Sequence, residues 1–233
     1  TLARSKGLGD AHAVRAVLEW LAEAGLFGDL RVRTDGETAI VALMQTIAAR
    51  RKARTMLEVS PPSSSDSLGA AERCCQAVAG MVRTLKCSME AALDKPVEAR
   101  DALFPWMVNH SSWLLNRYQR HRSSGATSFE LRAHKEFTMP IFTFGDIVLG
   151  KHDAALTQQK LDARWSAGIF LGVRGDSCEY ILGGATGIFT MRTAKTMERS
   201  AWPMELFQQM QFTPWSPQRV VSRAAAYDGA EGD

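Results

Sequence analysis

An α/β domain followed by a small antiparallel β module is the fold class predicted by three features of the sequence. Residues 11–59 run in the order helix, strand, helix, strand by their apolar periodicity. Two long amphipathic segments follow. From Phe144 the chain changes to short β-rich runs separated by Gly and Asp turns. Strand–helix–strand order implies a parallel pair, because only a crossover helix returns the chain to the same end of the sheet.

Each element has a local cause. Asp10 reads as a helix N-cap. Val14, Val17, Leu18 and Leu21 repeat at helical spacing, and Gly25 closes that helix. Leu30–Thr34 alternates apolar and polar residues as a short strand. Ile40, Leu43, Met44 and Ile47 give a second amphipathic helix, ending in a basic run, and Thr55–Val59 gives a second strand. Residues 60–69, SPPSSSDSLG, read as a mobile loop, since Pro and Gly break regular structure and Ser offers the backbone competing hydrogen bonds. Ala71, Cys75, Val78, Val82, Leu85 and Met89 form the apolar stripe of a long helix. Leu103, Met107, Leu114 and Tyr118 mark another, in which Trp106 and Trp113 are expected in the core. Strands are expected at Asp146–Leu149, Gly168–Val173, Glu179–Leu182 and Ile188–Thr193. Arg174-Gly175-Asp176 between two of them reads as a hairpin turn rather than an adhesion signal. The expected domains are 1–140, 144–200 and a tail, 201–233, partly disordered where Ala, Gly and acids dominate.

Composition excludes several classes. With 45% hydrophobic and 23% charged residues the chain is an ordinary globular mixture rather than a disordered one. No run approaches the roughly 18–20 apolar residues of a membrane helix, so no membrane partner is expected. The first ten residues lack the apolar centre of a signal peptide. Four cysteines without a CxxC pair make neither a disulfide framework nor a zinc site, and point to a reducing, intracellular compartment. The net charge of +3 permits an anionic partner. It is concentrated in two runs, Arg50, Arg51, Lys52 and Arg54, then Arg117, Arg120 and Arg122 beside His121. Each also reads as a solvated helix end, where cations offset the helix dipole. No GxSxG, Walker loop or HExxH occurs.

The chemistry rests on Asp35 and Glu72. Asp35 follows a parallel strand, at the end where α/β folds place ligands. Glu72 opens the long helix after the Ser-rich loop, with 36 residues between the two. Two carboxylates brought together can share a divalent metal, since Mg²⁺ takes hard oxygen ligands and is completed by phosphate oxygens. Taken alone, the same residues also read as a turn Asp and a helix-opening Glu. On the long helix Gln76 and Arg83 share the face of Glu72, with Arg73 and Lys86 flanking it. These read either as solvated surface or as contacts to nucleic-acid phosphate.

Residues 32–37 (VRTDGE), then 57–73 (LEVSPPSSSDSLGAAER), resemble the second Asp and the Glu of the retroviral and retrotransposon integrase core: TDxG, a Pro/Ser-rich loop, then GxxER. Residues 114–117 (LLNR), 127–131 (TSFEL), 144–148 (FGDIV) and 160–172 (KLDARWSAGIFLG) resemble segments of copia-type elements, in the same order. Ser128 stands where that pattern has proline, at a position read as loop. The resemblance covers roughly residues 10–200.

What the resemblance implies is a ribonuclease-H-like core remnant, two parallel strands plus helices, performing DNA strand transfer by two-metal transesterification. Asp35 and Glu72 would each hold one Mg²⁺ (or Mn²⁺). The implied partner is DNA, met by Arg73, Gln76, Arg83 and Lys86 and by Arg50, Arg51, Lys52 and Arg54. A homo-oligomer is left open, and a functional product would act in the nucleus. The bridging first Asp of that family would fall upstream of Thr1, and its zinc-binding HHCC module has no counterpart among the scattered His12, His110, His121, His134 and His152. The expectation is therefore an N-terminally truncated core that binds metal weakly and is inactive alone. A non-catalytic DNA-binding or scaffolding protein derived from such an element is the alternative, and an unrelated α/β protein with a β appendage is the third.

Overall fold

The computed structural model describes residues 11–60, 69–152 and 163–217. The Asp10 cap, the loop interior at 61–68, residues 160–162 of the KLDAR motif and the end of the tail at 218–233 lie outside the described residues. The chain forms two compact units, Thr1–Ser88 with Ser111–Thr138, and Met89–His110 with Met139–Asp233. No described helix is long and apolar enough to cross a membrane.

Unit 1 contains α1 (Ala11–Glu23), β1 (Leu30–Thr34), α2 (Thr38–Arg50) and β2 (Thr55–Val59). It also holds most of α3 (Gly69–Leu93), the end of α4 (Leu103–Tyr118) and α5 (Ser128–Ala133). Gly25 closes α1 at φ +70°, while the Leu26 N–H bonds the Leu21 carbonyl and the Gly25 N–H bonds Ala22. That is a Schellman cap, which favours glycine at this left-handed position. β1 and β2 pair in parallel, Leu30 opposite Thr55 through Thr34 opposite Val59. Leu30, Val32 and Thr34 therefore share a face with Thr55, Leu57 and Val59, and Arg31 and Arg33 share the other with Met56 and Glu58.

Ser128 is the first residue of α5 rather than a loop residue. Thr127 Oγ1 accepts the Glu130 N–H at 3.1 Å, and Glu130 Oε2 accepts the Thr127 N–H at 2.6 Å. This capping box satisfies two amides that a helix start leaves without intrahelical partners. The proline of the resembled pattern suits the same position, whose fixed φ is helical and whose N–H is not needed.

Unit 2 is built on a five-stranded antiparallel sheet of β3 (Ile147–Lys151), β4 (Trp165–Val173), β5 (Tyr180–Gly184), β6 (Gly187–Met191) and β7 (Ala194–Thr196), in the order β6-β5-β4-β3-β7. The four expected strands are present, and the three-residue β7 is additional. β7 follows β6 after two residues yet pairs with β3 at the far edge, so the sheet curls back on itself. Core side chains press onto the backbone at two glycines: a Cβ on Gly150 would stand 2.7 Å from the Leu182 side chain, and one on Gly168 2.9 Å from the Phe189 ring. Ile169, Phe170, Leu171 and Leu182 are buried in this core. His110 packs there, 5.6 Å from the Phe144 ring and 5.4 Å from Phe170. Burial lowers its pKa to about 4. Residues Arg174–Glu179 form the turn between β4 and β5, where Arg174 pairs with Asp176 at 2.9 Å. Trp106 is buried, its Nε1–H donating to the Phe212 carbonyl at 2.8 Å, and α6 (Glu205–Gln209) lies within the expected tail.

Candidate functional site

The ends of the two parallel strands position Asp35. The Ser60 N–H bonds the Thr34 carbonyl at 2.8 Å, which carries the parallel pairing one step beyond β2. Asp35 is exposed immediately after β1, and its Oδ1 accepts the Glu37 N–H at 3.2 Å. It thus sits at the entry to α2, where unsatisfied amides favour a negative charge. Glu72 occupies the first turn of α3 and is likewise exposed. Helix rotation puts Glu72, Gln76 and Arg83 within about 40° of one another, and all three are exposed. Arg73 is exposed and Lys86 half-buried. The eight residues between Ser60 and Gly69 allow a separation of up to about 30 Å, so connectivity alone does not bring the two carboxylates together.

The apolar stripe of α3 is covered over part of its length only. Val82 and Met89 are buried, whereas Ala70 through Gln76, including Ala71 and Cys75, are all exposed. Ala and Cys offer little apolar area, so this end of the helix gains least from docking. Cys74, Cys75, Cys87 and Cys178 are all free and exposed.

The two basic runs lie in different settings. Arg50, Lys52 and Arg54 are exposed at the starting ends of the strands, about 16 Å from the Asp35 end over five residues. Arg51 is engaged within the fold. Its guanidinium donates to the Leu26 carbonyl at 2.9 Å, the Gly28 carbonyl at 2.7 Å and Thr55 Oγ1 at 2.6 Å. In the second run Arg117 is not a solvated helix end. It is buried, with its guanidinium 4.3 Å from the Trp113 ring centre and 5.3–5.4 Å from those of Phe129 and Phe137. Weak hydration of the guanidinium and the negative ring faces make this burial tolerable. Arg120 donates to the Gly125 carbonyl at 2.8 Å, and Arg122 is exposed.

The alternation in LRVRT placed a strand at Leu30–Thr34 but drew no attention to its polar side. Arg31 Nε lies 3.1 Å from Glu58 Oε1, and Arg33 Nη2 lies 3.1 Å from Glu58 Oε2. Period-two arginines in the sequence were the available signal. Among the described residues no three His, Cys, Asp or Glu side chains form a group able to hold a metal. Asp35 and Glu72 each carry a carboxylate, the hard oxygen donor that Mg²⁺ takes.

No protein-family model matches the sequence, and no curated protein matches it. Among solved structures it aligns with a chain of the simian T-cell lymphotropic virus intasome in complex with PP2A regulatory subunit B56 gamma. The TM-score is 0.37 and the identity 15%, over 80% of this chain and 63% of that one. The chain thus spans less than two thirds of the length of the chain it matches.

Proposed function

We propose that unit 1 derives from an integrase-type, ribonuclease-H-like core of a copia-like element and that its partner is DNA. The observation that carries this reading is Asp35, exposed at the ends of a parallel strand pair. It is followed in sequence by a Ser-rich link and a helix that opens with exposed Glu72. Motif order along the chain supports it.

In this reading Asp35 and Glu72 hold Mg²⁺ or Mn²⁺, each carboxylate near a helix start that favours its charge. A bound divalent ion supplies activation of the attacking hydroxyl and stabilisation of the leaving oxygen. The chain's own residues orient the substrate. Arg73, Gln76, Arg83 and Lys86 meet backbone phosphate along α3, which positions DNA without reading its bases. Arg50, Lys52 and Arg54 contact phosphate farther away, at the opposite ends of the strands, with Arg51 holding that corner together. Two carboxylates alone repel one another, so the pair is expected to bind a divalent ion weakly.

The test is a DNA-binding and strand-transfer assay with an oligonucleotide bearing a free 3′-hydroxyl, in Mg²⁺ and in Mn²⁺. Binding that weakens as salt rises is the expected result. No binding at low salt overturns the reading. Strand transfer by this chain refutes the expectation of inactivity and supports the assignment of the fold.

A further inference from the structure

The second face of the β1–β2 pair is unusual for a parallel sheet. Parallel strands are normally covered on both sides. Here one side carries Leu30, Val32, Thr34 and Leu57, while the other presents Arg31 and Arg33 to solvent, their side chains 66% and 52% exposed. Both guanidinium groups share the single carboxylate of Glu58, which leaves the face with one net positive charge. An exposed ion pair of this kind holds its members weakly, so either arginine can exchange partners at small cost.

We propose that this arginine face binds the phosphodiester backbone of DNA and leads it along β1 to Asp35. The inference rests on the DNA reading above and names a surface which that reading did not include. Three features support it. A guanidinium fork matches phosphate oxygens better than a point charge does. Arg31 and Arg33 stand about 6.6 Å apart along the strand, close to two axial rises of roughly 3.4 Å each along a duplex. The strand runs from these arginines directly into Asp35, only two residues beyond Arg33. By contrast, the Arg50–Arg54 run lies at the other end of the strands, and Arg51 is engaged by two carbonyls and a hydroxyl.

The experiment is the affinity of the full chain for a labelled DNA duplex between 50 and 200 mM salt, comparing the native chain with R31Q/R33Q, E58Q and R50Q/K52Q/R54Q. Loss of two phosphate contacts removes about 1.8 from the slope of log affinity against log salt. Over this fourfold salt range the native chain should therefore lose about twelvefold more affinity than R31Q/R33Q. E58Q removes the competing carboxylate and should bind more tightly than the native chain, a gain that misfolding cannot produce. Native binding with R31Q/R33Q and E58Q both unchanged, and loss in R50Q/K52Q/R54Q alone, overturns the arginine face while leaving the DNA reading standing. No native binding at low salt defeats both. Displacement of the duplex by poly-glutamate at equal charge concentration assigns the face to an acidic protein instead, and overturns the proposal.

Discussion

Arg51 and Arg117 are arginines whose roles are set by their neighbours rather than by net charge. Arg51 ties the α1–β1 connection to the start of β2 through three hydrogen bonds. Hydrogen bonds from a charged donor are worth about 1.5–3 kcal/mol when well made. Partial exposure reduces this, so Arg51→Ala should cost about 1–2 kcal/mol in chemical denaturation, whereas Arg50→Ala should change stability by less than about 0.5 kcal/mol. Equal effects would show that the three bonds contribute nothing. His110 gives a pH dependence of definite sign. Burial holds its folded pKa near 4 against 6.5. Between these values the unfolded chain binds a proton that the folded chain does not, so stability is present above pH 6.5 and is lost as pH falls toward 4. The full effect is about 3 kcal/mol. An NMR titration of the imidazoles should find His110 neutral until about pH 4, and titration near 6.5 would contradict its burial.

At the scale of elements, β1 pairs only with β2 among the described residues, whereas β4 is flanked by β3 and β5. Two-stranded sheets are marginal by themselves, and an unpaired edge offers its backbone groups to water or to another strand. Amides of β1 should therefore exchange with deuterium at least roughly tenfold faster than those of β4; equal protection would show that β1 is covered by more than β2. The start of α5 offers a sharper test. Thr127 sits at φ −81°, ψ 162°, a conformation compatible with a following proline, and Ser128 occupies the first helical position. Ser128→Pro should be neutral or stabilising by about 0.5 kcal/mol, even though it removes the exposed 2.8 Å contact between Ser128 Oγ and His121 Nε2. A clear fall in melting temperature would contradict the capping geometry. Thr127-x-x-Glu130 was a legible capping box, and its helix was missed because six residues are too short to show an apolar period.

Over the whole molecule, the sequence revealed what local periodicity and turn chemistry encode. The helices α1 to α4, the Gly25 stop, the parallel pair and four strands of the curled sheet follow from residues close together in the chain. What it hid depends on distant residues. Arg117 is buried by Phe129 and Phe137, 12 and 20 positions away. The partner of three-residue β7 lies more than forty residues earlier. In the candidate site, strand-end placement made Asp35 legible, and position at a helix start made Glu72 legible. Their pairing could not follow from either helix or strand pattern, since it depends on residues far apart in the chain. The most direct test is Mn²⁺ binding to the full chain, read from the electron paramagnetic resonance signal of the unbound ion, for the native chain, Asp35→Asn, Glu72→Gln and both together. If the carboxylates form a common site for a pair of ions, each single substitution weakens the binding of both ions and the double substitution removes little more than either. Binding unchanged by either substitution, or independent losses that add, would show that Asp35 and Glu72 do not form a common site.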